Sequence, residues 1–273
     1  MTEEDLPAAL ALCRAAGWNQ VERDWRQFLR LSPAGCRVAT RAGRVVGTVT
    51  TLDYEGRFAW VGMVLVDPEA RRQGIGTRLL REAIELLRDR GAVRLDATPA
   101  GREVYLKLGF RDEHELVRLA GRVPAELDRE ETDDLRPVRE EDLDAIAAAD
   151  AEIFGADRRA MLRWMREGAP EYAWMTPDAK SYCFGRRGFR YEHLGPIVAE
   201  DARRARQLAA ACLRRRAGAE FILDAFRHDA EWLAWLAGAG FREQRPFIRM
   251  YLGEHRYPGR PERQFAMLGP EFG

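Results

Sequence analysis

The stretch Val64-Leu65-Val66-Asp67-Pro68-Glu69-Ala70-Arg71-Arg72-Gln73-Gly74-Ile75-Gly76-Thr77 decides the fold of this chain. It closes an apolar run that begins at Phe58 and predicts a buried strand, and it opens a one-sided apolar helix that continues to Arg90. Glycines at the turn leave backbone N–H groups unshielded at the positive end of the helix dipole. The segment therefore predicts a strand, a loop and a helix that together can hold a diphosphate.

The side chains of the loop favour the same ligand. Arg71 and Arg72 can add charge-assisted hydrogen bonds to phosphate oxygens. A P-loop is excluded because no Lys-Ser/Thr follows the glycines, and a dinucleotide fingerprint is excluded because the third glycine is missing. The candidate cofactor-binding residues here are Val64, Leu65, Val66, Arg71, Arg72, Gln73, Gly74, Ile75, Gly76 and Thr77.

Composition bounds the remaining possibilities. The 273 residues carry 44 Lys and Arg against 44 Asp and Glu, so no net field favours nucleic acid or an anionic membrane. The apolar runs are too short to span a bilayer, and the acidic start at residues 2–5 is unlike a signal peptide. Four scattered cysteines show no metal-ligand spacing. We expect a cytoplasmic protein without a metal, a nucleic-acid partner or a membrane partner.

The chain loosely repeats itself, which predicts two copies of one domain. Three segments recur in the same order: 3–9 as 140–146, 95–97 as 223–225, and 109–111 as 240–242. We predict a first domain over residues 1–124, a linker over 125–134 and a second domain over 135–273. Helical and strand patterns alternate in each copy, which predicts an α/β (α+β) fold in which a mixed, largely antiparallel sheet is flanked by helices.

A second segment points to the same chemistry as the loop. Residues 98–110 read Thr-Pro-Ala-Gly-Arg-Glu-Val-Tyr-Leu-Lys-Leu-Gly-Phe, with the tyrosine at position 105. This segment and the Arg71–Gly76 loop resemble the two signature motifs of the GNAT N-acetyltransferase family. The whole chain resembles bacterial proteins that join an N-terminal GNAT domain to a degenerate GNAT-like C-terminal domain.

The resemblance implies an activity and roles for particular residues. It implies that acetyl-CoA is the cosubstrate, with its pantetheine arm lying between two splayed strands beside Val64 and Val66. It implies that a small-molecule or peptide amine attacks the thioester directly, and that Tyr105 protonates the departing thiolate. Thr98, at the position of the family's asparagine, is a further candidate cofactor-binding residue. Thr98 and Gly101 depart from the asparagine and alanine common in the family, which puts side-chain contacts to CoA there in doubt.

The general base and the acceptor pocket are less defined. Residues 58–66 contain no Asp, Glu or His, so candidate bases lie elsewhere, and no choice among them is justified: Glu22, Asp24, Asp53, Glu55 and Asp96. By position, Trp18, Asn19, Gln20 and Tyr54 are candidates for the acceptor pocket, although the aromatic residues among them also fit a packed core.

The second copy has lost the features that predict activity in the first. Glu200–Arg204 replaces the glycine loop, and Leu236 stands where Tyr105 stands in the first copy. The segment Gly185–Gly188, with Tyr191 and His193, fits either an anion site or a solvated hairpin turn. Two other functions stay open: an acyl-CoA sensor without turnover, and a tandem enzyme like mycothiol synthase.

Overall fold

The structure is a computed structural model that describes residues 1–123, 132 and 134–273. Most of the predicted linker, 125–134, lies outside the described residues. The helices are α1 (Leu6–Ala15), α2 (Glu22–Leu31), α3 (Ile75–Leu86), α4 (Pro99–Leu106), α5 (Leu143–Phe154), α6 (Arg159–Gly168), α7 (Ala202–Leu213) and α8 (Ala230–Gly238). The strands are β1 (Arg37–Arg41), β2 (Arg44–Tyr54), β3 (Phe58–Val66), β4 (Ala92–Ala97), β5 (Arg111–Arg122), β6 (Arg136–Pro137), β7 (Trp174–Met175), β8 (Tyr182–Arg187), β9 (Glu192–Val198), β10 (Glu220–Phe226), β11 (Arg242–Gly253) and β12 (Gln264–Ala266).

The predicted mixed sheet flanked by helices is confirmed, but the two halves share one sheet. Its twelve strands run in the order β1-β2-β3-β4-β11-β5-β10-β12-β9-β8-β7-β6. Strand β11 of the second half lies between β4 and β5 of the first half, antiparallel to both. Residues 116–122 of β5 pair in turn with the whole length of β10. The halves therefore exchange their last long strands, which a local sequence pattern does not specify.

Strand β3 has the predicted bounds, and its burial explains its continuous apolar sequence. Phe58 and Trp60 pack into the core on one face of the sheet, while Ala59 and Val61 pack into the core on the other face. A strand covered on both faces needs apolar residues at successive positions. Helix α3 ends at Leu86, earlier than predicted. Gly91 is needed for close approach, because a Cβ there would lie 2.5 Å from the carbonyl oxygen of Arg57.

The first half contains the splay that the family resemblance implies. Parallel strands β3 and β4 pair only through Ala59 with Val93 and Trp60 with Arg94. Beyond Trp60 they separate, so β4 leaves one edge of β3 unpaired. A β-bulge lies here, with Met63 at a φ of 50° and its carbonyl accepting a 2.8 Å hydrogen bond from Thr48 Oγ1. Bulges re-aim the backbone of a strand.

The second half contains the matching splay, and its own chain fills it. Parallel strands β9 and β10 pair only at residues 192–193 and 221–222. The short strand β12 then lies between them, with Ala266 opposite Ala225 of β10 and Gln264 opposite Val198 of β9. The gap that stays open in the first half is therefore closed by β-strand pairing in the second.

The last residues of the chain, 267–273, run from β12 onto the first half. Trp60 Nε1 donates to the Pro270 carbonyl at 2.9 Å, and the rings of Phe28 and Phe272 stack at 4.5 Å. We call these seven residues the C-terminal tail. None of the described helices is long and apolar enough to cross a membrane.

Candidate active site

The predicted phosphate loop forms the N-terminus of α3. Gly74 adopts a φ of 78°, a left-handed conformation that residues with a Cβ rarely adopt. A Cβ at Gly76 would lie 3.3 Å from Val66 Cγ2, so glycine keeps the backbone open at the first turn. A groove of about 300 Å³ borders this turn, lined by Arg71, Arg72, Gly74, Ile75, Gly76 and Thr77 together with Val64, Val66 and Tyr105. Its shape and charge fit a diphosphate at a helix N-terminus.

Two residues of the predicted set lie outside this groove. The Leu65 side chain is buried in the core on the opposite face of β3, because neighbouring side chains of a strand alternate. Gln73 is exposed, and its side-chain oxygen accepts a 3.1 Å hydrogen bond from Arg41. Only the backbone of these two positions is available to a ligand on the groove side.

The groove continues into a more enclosed cavity of about 190 Å³. The two spaces share Val64, Gly101 and Tyr105, which therefore lie at the junction. The cavity extends along the unpaired edge of β3 from Val61 to Val64, and Thr98 lines it as well. A long ligand that bound its phosphates at the loop could thus reach the cavity with its other end.

Tyr105 is half-buried on α4 at this junction. The Thr98 hydroxyl caps the helix by accepting a 3.2 Å hydrogen bond from the Gly101 N–H, and the Tyr105 ring packs against Phe110. Burial raises the pKa of Tyr105 to about 12, so the phenol stays protonated across the physiological range. The side chain can therefore donate a hydrogen bond to a group at the junction.

The cavity also contains a carboxylate that the sequence prediction missed. Glu271, in the C-terminal tail, lines the cavity and is buried. Gly62 permits this approach, because a Cβ there would lie 2.6 Å from the Glu271 carbonyl oxygen. One sequence signal was available: Glu271 is the sole charged residue in the apolar and glycine-rich stretch 265–273.

Glu271 is ionised and only partly paired. Its Oε1 pairs with Arg186, whereas its buried Oε2 has no hydrogen-bond partner among the described residues. Burial alone would raise the pKa of Glu271, but the Arg186 guanidinium and several smaller favourable interactions together outweigh it and hold the pKa below its usual value. Arg186 also binds Asp24 at 2.8 Å, so this cluster has two carboxylates for one guanidinium.

Of the predicted candidate bases, only Asp96 lines the cavity. Both of its oxygens accept hydrogen bonds from Arg249, at 2.9 and 3.1 Å, and burial raises its pKa. Asp24 is buried against Arg186. The other three candidates are exposed and lie outside the cavity: Glu22, Asp53 and Glu55.

The predicted acceptor residues separate into two groups. Trp18 and Gln20 line the cavity. Asn19 does not: its side chain accepts hydrogen bonds from the N–H groups of Arg190 and Tyr191 and donates one to the Tyr191 carbonyl, which joins the two halves. Tyr54 is buried outside the cavity, where its hydroxyl donates a 2.5 Å hydrogen bond to the Phe272 carbonyl.

The second half has neither the glycine loop nor the tyrosine of the first half. Leu236, at the position of Tyr105, is fully buried, and Asp201 caps α7 where the first half has its glycine loop. The hairpin 185–188 is not wholly solvated, because Arg186 is buried and donates to His193 Nδ1 at 3.0 Å. Arg186 therefore binds Glu271 without itself lining the cavity. No group of three or more described His, Cys, Asp or Glu residues is placed to hold a metal ion.

Comparison with known proteins agrees with this geometry. The model of the acetyltransferase (GNAT) family matches residues 6–110, and an acetyltransferase (GNAT) domain model matches residues 146–266. Over 244 residues the chain is 28% identical to holothin acyltransferase of Pseudoalteromonas sp. (strain SANK 73390), covering 88% of this chain and 82% of that protein.

Solved structures share the fold over both halves. A putative acetyltransferase from Pyrococcus horikoshii superposes with a TM-score of 0.85 at 23% identity, covering 100% of this chain and 94% of that one. A tandem GNAT protein from the clavulanic acid biosynthesis pathway superposes with a TM-score of 0.61 at 17% identity, covering 92% and 95%. The chain therefore belongs to the acetyltransferase (GNAT) family, as a tandem protein with two GNAT domains.

Proposed function

We propose that the first half transfers the acetyl group of acetyl-CoA to an amine, and that the second half binds no CoA. One observation carries this proposal: the loop groove and the enclosed cavity meet at Val64 and Tyr105. A diphosphate at the loop would place a reactive thioester, which is what acetyl-CoA supplies, at that junction. The amine would then occupy the cavity beyond it.

The residues present fit this cosubstrate. The N–H groups of residues 74–77 and the guanidinium groups of Arg71 and Arg72 would hold the diphosphate. The pantetheine arm would pair with the edge of β3 that β4 leaves free beyond Trp60. Leu65 and Gln73 would contribute through their backbone, and Thr98 through its cap on α4.

Backbone groups and Tyr105 would stabilise the charge that develops during transfer. Free N–H groups of β3 near the bulge at Met63 would polarise the carbonyl oxygen. The Tyr105 phenol, with a pKa of about 12, is a weaker acid than a thiol of pKa about 8.5. Its contribution is therefore a hydrogen bond to the sulfur as the C–S bond breaks, and a proton from the attacking nitrogen would end on the thiolate to give the free thiol.

Glu271 is the best-placed group to deprotonate the acceptor ammonium before it attacks. Glu271 lines the cavity and its Oε2 has no hydrogen-bond partner among the described residues, whereas both oxygens of Asp96 are used by Arg249. An ionised carboxylate can hold an ammonium before reaction. An ammonium has no lone pair, so Glu271 would first take one proton to free the nitrogen for attack. The second proton, which becomes acidic once the nitrogen bonds to the acyl carbon, would go to the departing thiolate.

An amine panel tests the proposal. The protein is incubated with acetyl-CoA and representative primary amines, and thiol release and the acetylated product are both measured. We expect amine-dependent release of one thiol per product. Tight CoA binding with no product from any amine would contradict the proposal and would favour a sensor.

A further inference from the structure

We infer that the preferred acceptor is an amine that also carries a carboxylate, as in a free amino acid or a related small zwitterion. This inference rests on the proposed function. It is based on those charged side chains of the cavity that have no hydrogen-bond or ion-pair partner in the described part of the protein to satisfy them fully. Four charged side chains line the cavity: Asp96, Arg118, Arg245 and Glu271.

Two of these four are satisfied by other side chains. Asp96 binds Arg249 through both oxygens. Arg118 donates two hydrogen bonds to Asp224, at 2.7 and 2.8 Å. Each is a buried, bidentate pair of opposite charges, so neither has a net charge to offer a ligand.

Arg245 has no such partner. Among the described residues, no carboxylate or carbonyl binds its guanidinium, and its buried Nε has no hydrogen-bond partner. The group lies 4.9 Å from the centre of the Phe247 ring. Burial, with a smaller effect from the nearby Arg118, lowers the pKa of Arg245 to about 10, so it remains a cation at neutral pH. A half-buried guanidinium without an anion is a binding site for one.

Glu271 supplies the opposite charge in the same cavity. Its Oε2 is buried and has no hydrogen-bond partner among the described residues, and it shares Arg186 with Asp24, whose pKa is raised by burial. Burial, with Arg186 close by, lowers the pKa of His193, so that ring adds no charge at neutral pH. The cavity therefore presents a carboxylate with one unused oxygen and a cation without a counter-ion in the part of the chain that the structure describes.

A zwitterion matches both groups at once. Its ammonium would bind the carboxylate of Glu271, a residue that packs through its backbone and Cβ against Gly62 on β3, and its carboxylate would bind Arg245. The size of the cavity, about 190 Å³, limits the acceptor to a small molecule or to the end of a larger one. Trp18 and Phe247 supply apolar walls for the remaining part of the acceptor.

Matched acceptors test this inference. The full chain is assayed with acetyl-CoA and with amino acids, their amides and their methyl esters, which keep the amine and remove the anion. We expect kcat/KM for the amino acids to exceed that for the neutral partners by about ten- to hundredfold. Arg245→Gln should abolish the preference by slowing the amino acids alone, and Arg245→Lys should restore part of it.

Arg190→Gln is the matched control, because Arg190 is exposed in the neighbouring outer groove and does not line the cavity. It should keep the preference. Equal rates with amides and acids, in an enzyme that acetylates both, would overturn the inference while leaving the proposed function intact. A preference that survives in Arg245→Gln would also overturn it. Absence of product from every amine would instead contradict the proposed function.

Discussion

The two halves of the chain contain the same splay between parallel strands and use it in opposite ways. In the first half, β3 and β4 separate beyond Trp60, and a groove and a cavity open along the free edge of β3. In the second half, β9 and β10 separate in the same way, and β12 fills the gap by pairing with both. An exposed strand edge favours pairing, either with a ligand or with another strand.

The difference shows how a repeated fold can divide its tasks. Once β12 satisfies the splay of the second half, the residues after it are free to leave that half. They form the C-terminal tail, which brings Glu271 into the cavity of the first half and hydrogen-bonds Trp60 and Tyr54 through Pro270 and Phe272. The segment that fills the splay of the second half thus continues into the tail that lines the cavity of the first half.

The largest expected effect distinguishes the N-terminus of α3 in the first half from that of α7 in the second half. Gly76→Glu places a side chain and a negative charge against the proposed diphosphate, and like charges in contact cost several kcal/mol. We expect the affinity for CoA to fall by at least about a hundredfold, measured by calorimetric titration. Arg203→Glu, at the start of α7 in the second half, is the matched control and should leave the affinity unchanged. Wild-type affinity in Gly76→Glu would remove the loop from the site.

The next effect, on kcat, compares α4, which carries Tyr105, with α8, which carries Leu236 at the equivalent position. Tyr105→Phe removes the hydrogen bond to the leaving sulfur, so we expect kcat to fall by about tenfold to a thousandfold with little change in CoA affinity. Leu236→Met alters the equivalent position with little change of volume and should keep kcat. Equal turnover in the wild type and Tyr105→Phe, under conditions where chemistry limits the rate, would leave Tyr105 only a packing role.

The local parts of this arrangement were predictable from sequence, and the distant parts were not. The bounds of β3, the α3 loop and the splay follow from the patterns and the family resemblance over residues 58–110. The insertion of β11 and the position of Glu271 depend on pairing between residues more than a hundred positions apart, which no local pattern encodes. Asn19 was expected at the acceptor, but its amide is already used by residues 190 and 191 of the other half.

A smaller effect, on stability, tests the hydrogen bonds by which Asn19 joins the two halves. Asn19→Ala leaves two N–H groups and a carbonyl of residues 190–191 without their partner, so we expect the free energy of unfolding to fall by about 1–3 kcal/mol. Denaturant titration measures this change. CoA affinity should be unchanged, because the Asn19 side chain lies outside both the groove and the cavity. A loss of CoA binding in a fully folded variant would contradict the conclusion that Asn19 stabilises the contact between the halves and does not bind CoA.

The smallest effect compares two equivalent helix caps. Thr98 caps α4, and Asp229 caps α8 by accepting a 2.8 Å hydrogen bond from the Trp232 N–H. Each change to alanine should cost about 1 kcal/mol of stability. Only Thr98→Ala should also lower kcat, because α4 carries Tyr105 and α8 carries buried Leu236. Equal loss of activity in both variants would show that the caps matter only for folding.

A crystal structure of the full chain with CoA tests the central claim most directly. We predict one CoA per chain, with its diphosphate at residues 71–77, its pantetheine arm along the free edge of β3 and its sulfur near Tyr105. Strand β12 should remain between β9 and β10. A CoA molecule bound between β9 and β10, with β12 displaced, would contradict the claim that the second half closes its own site.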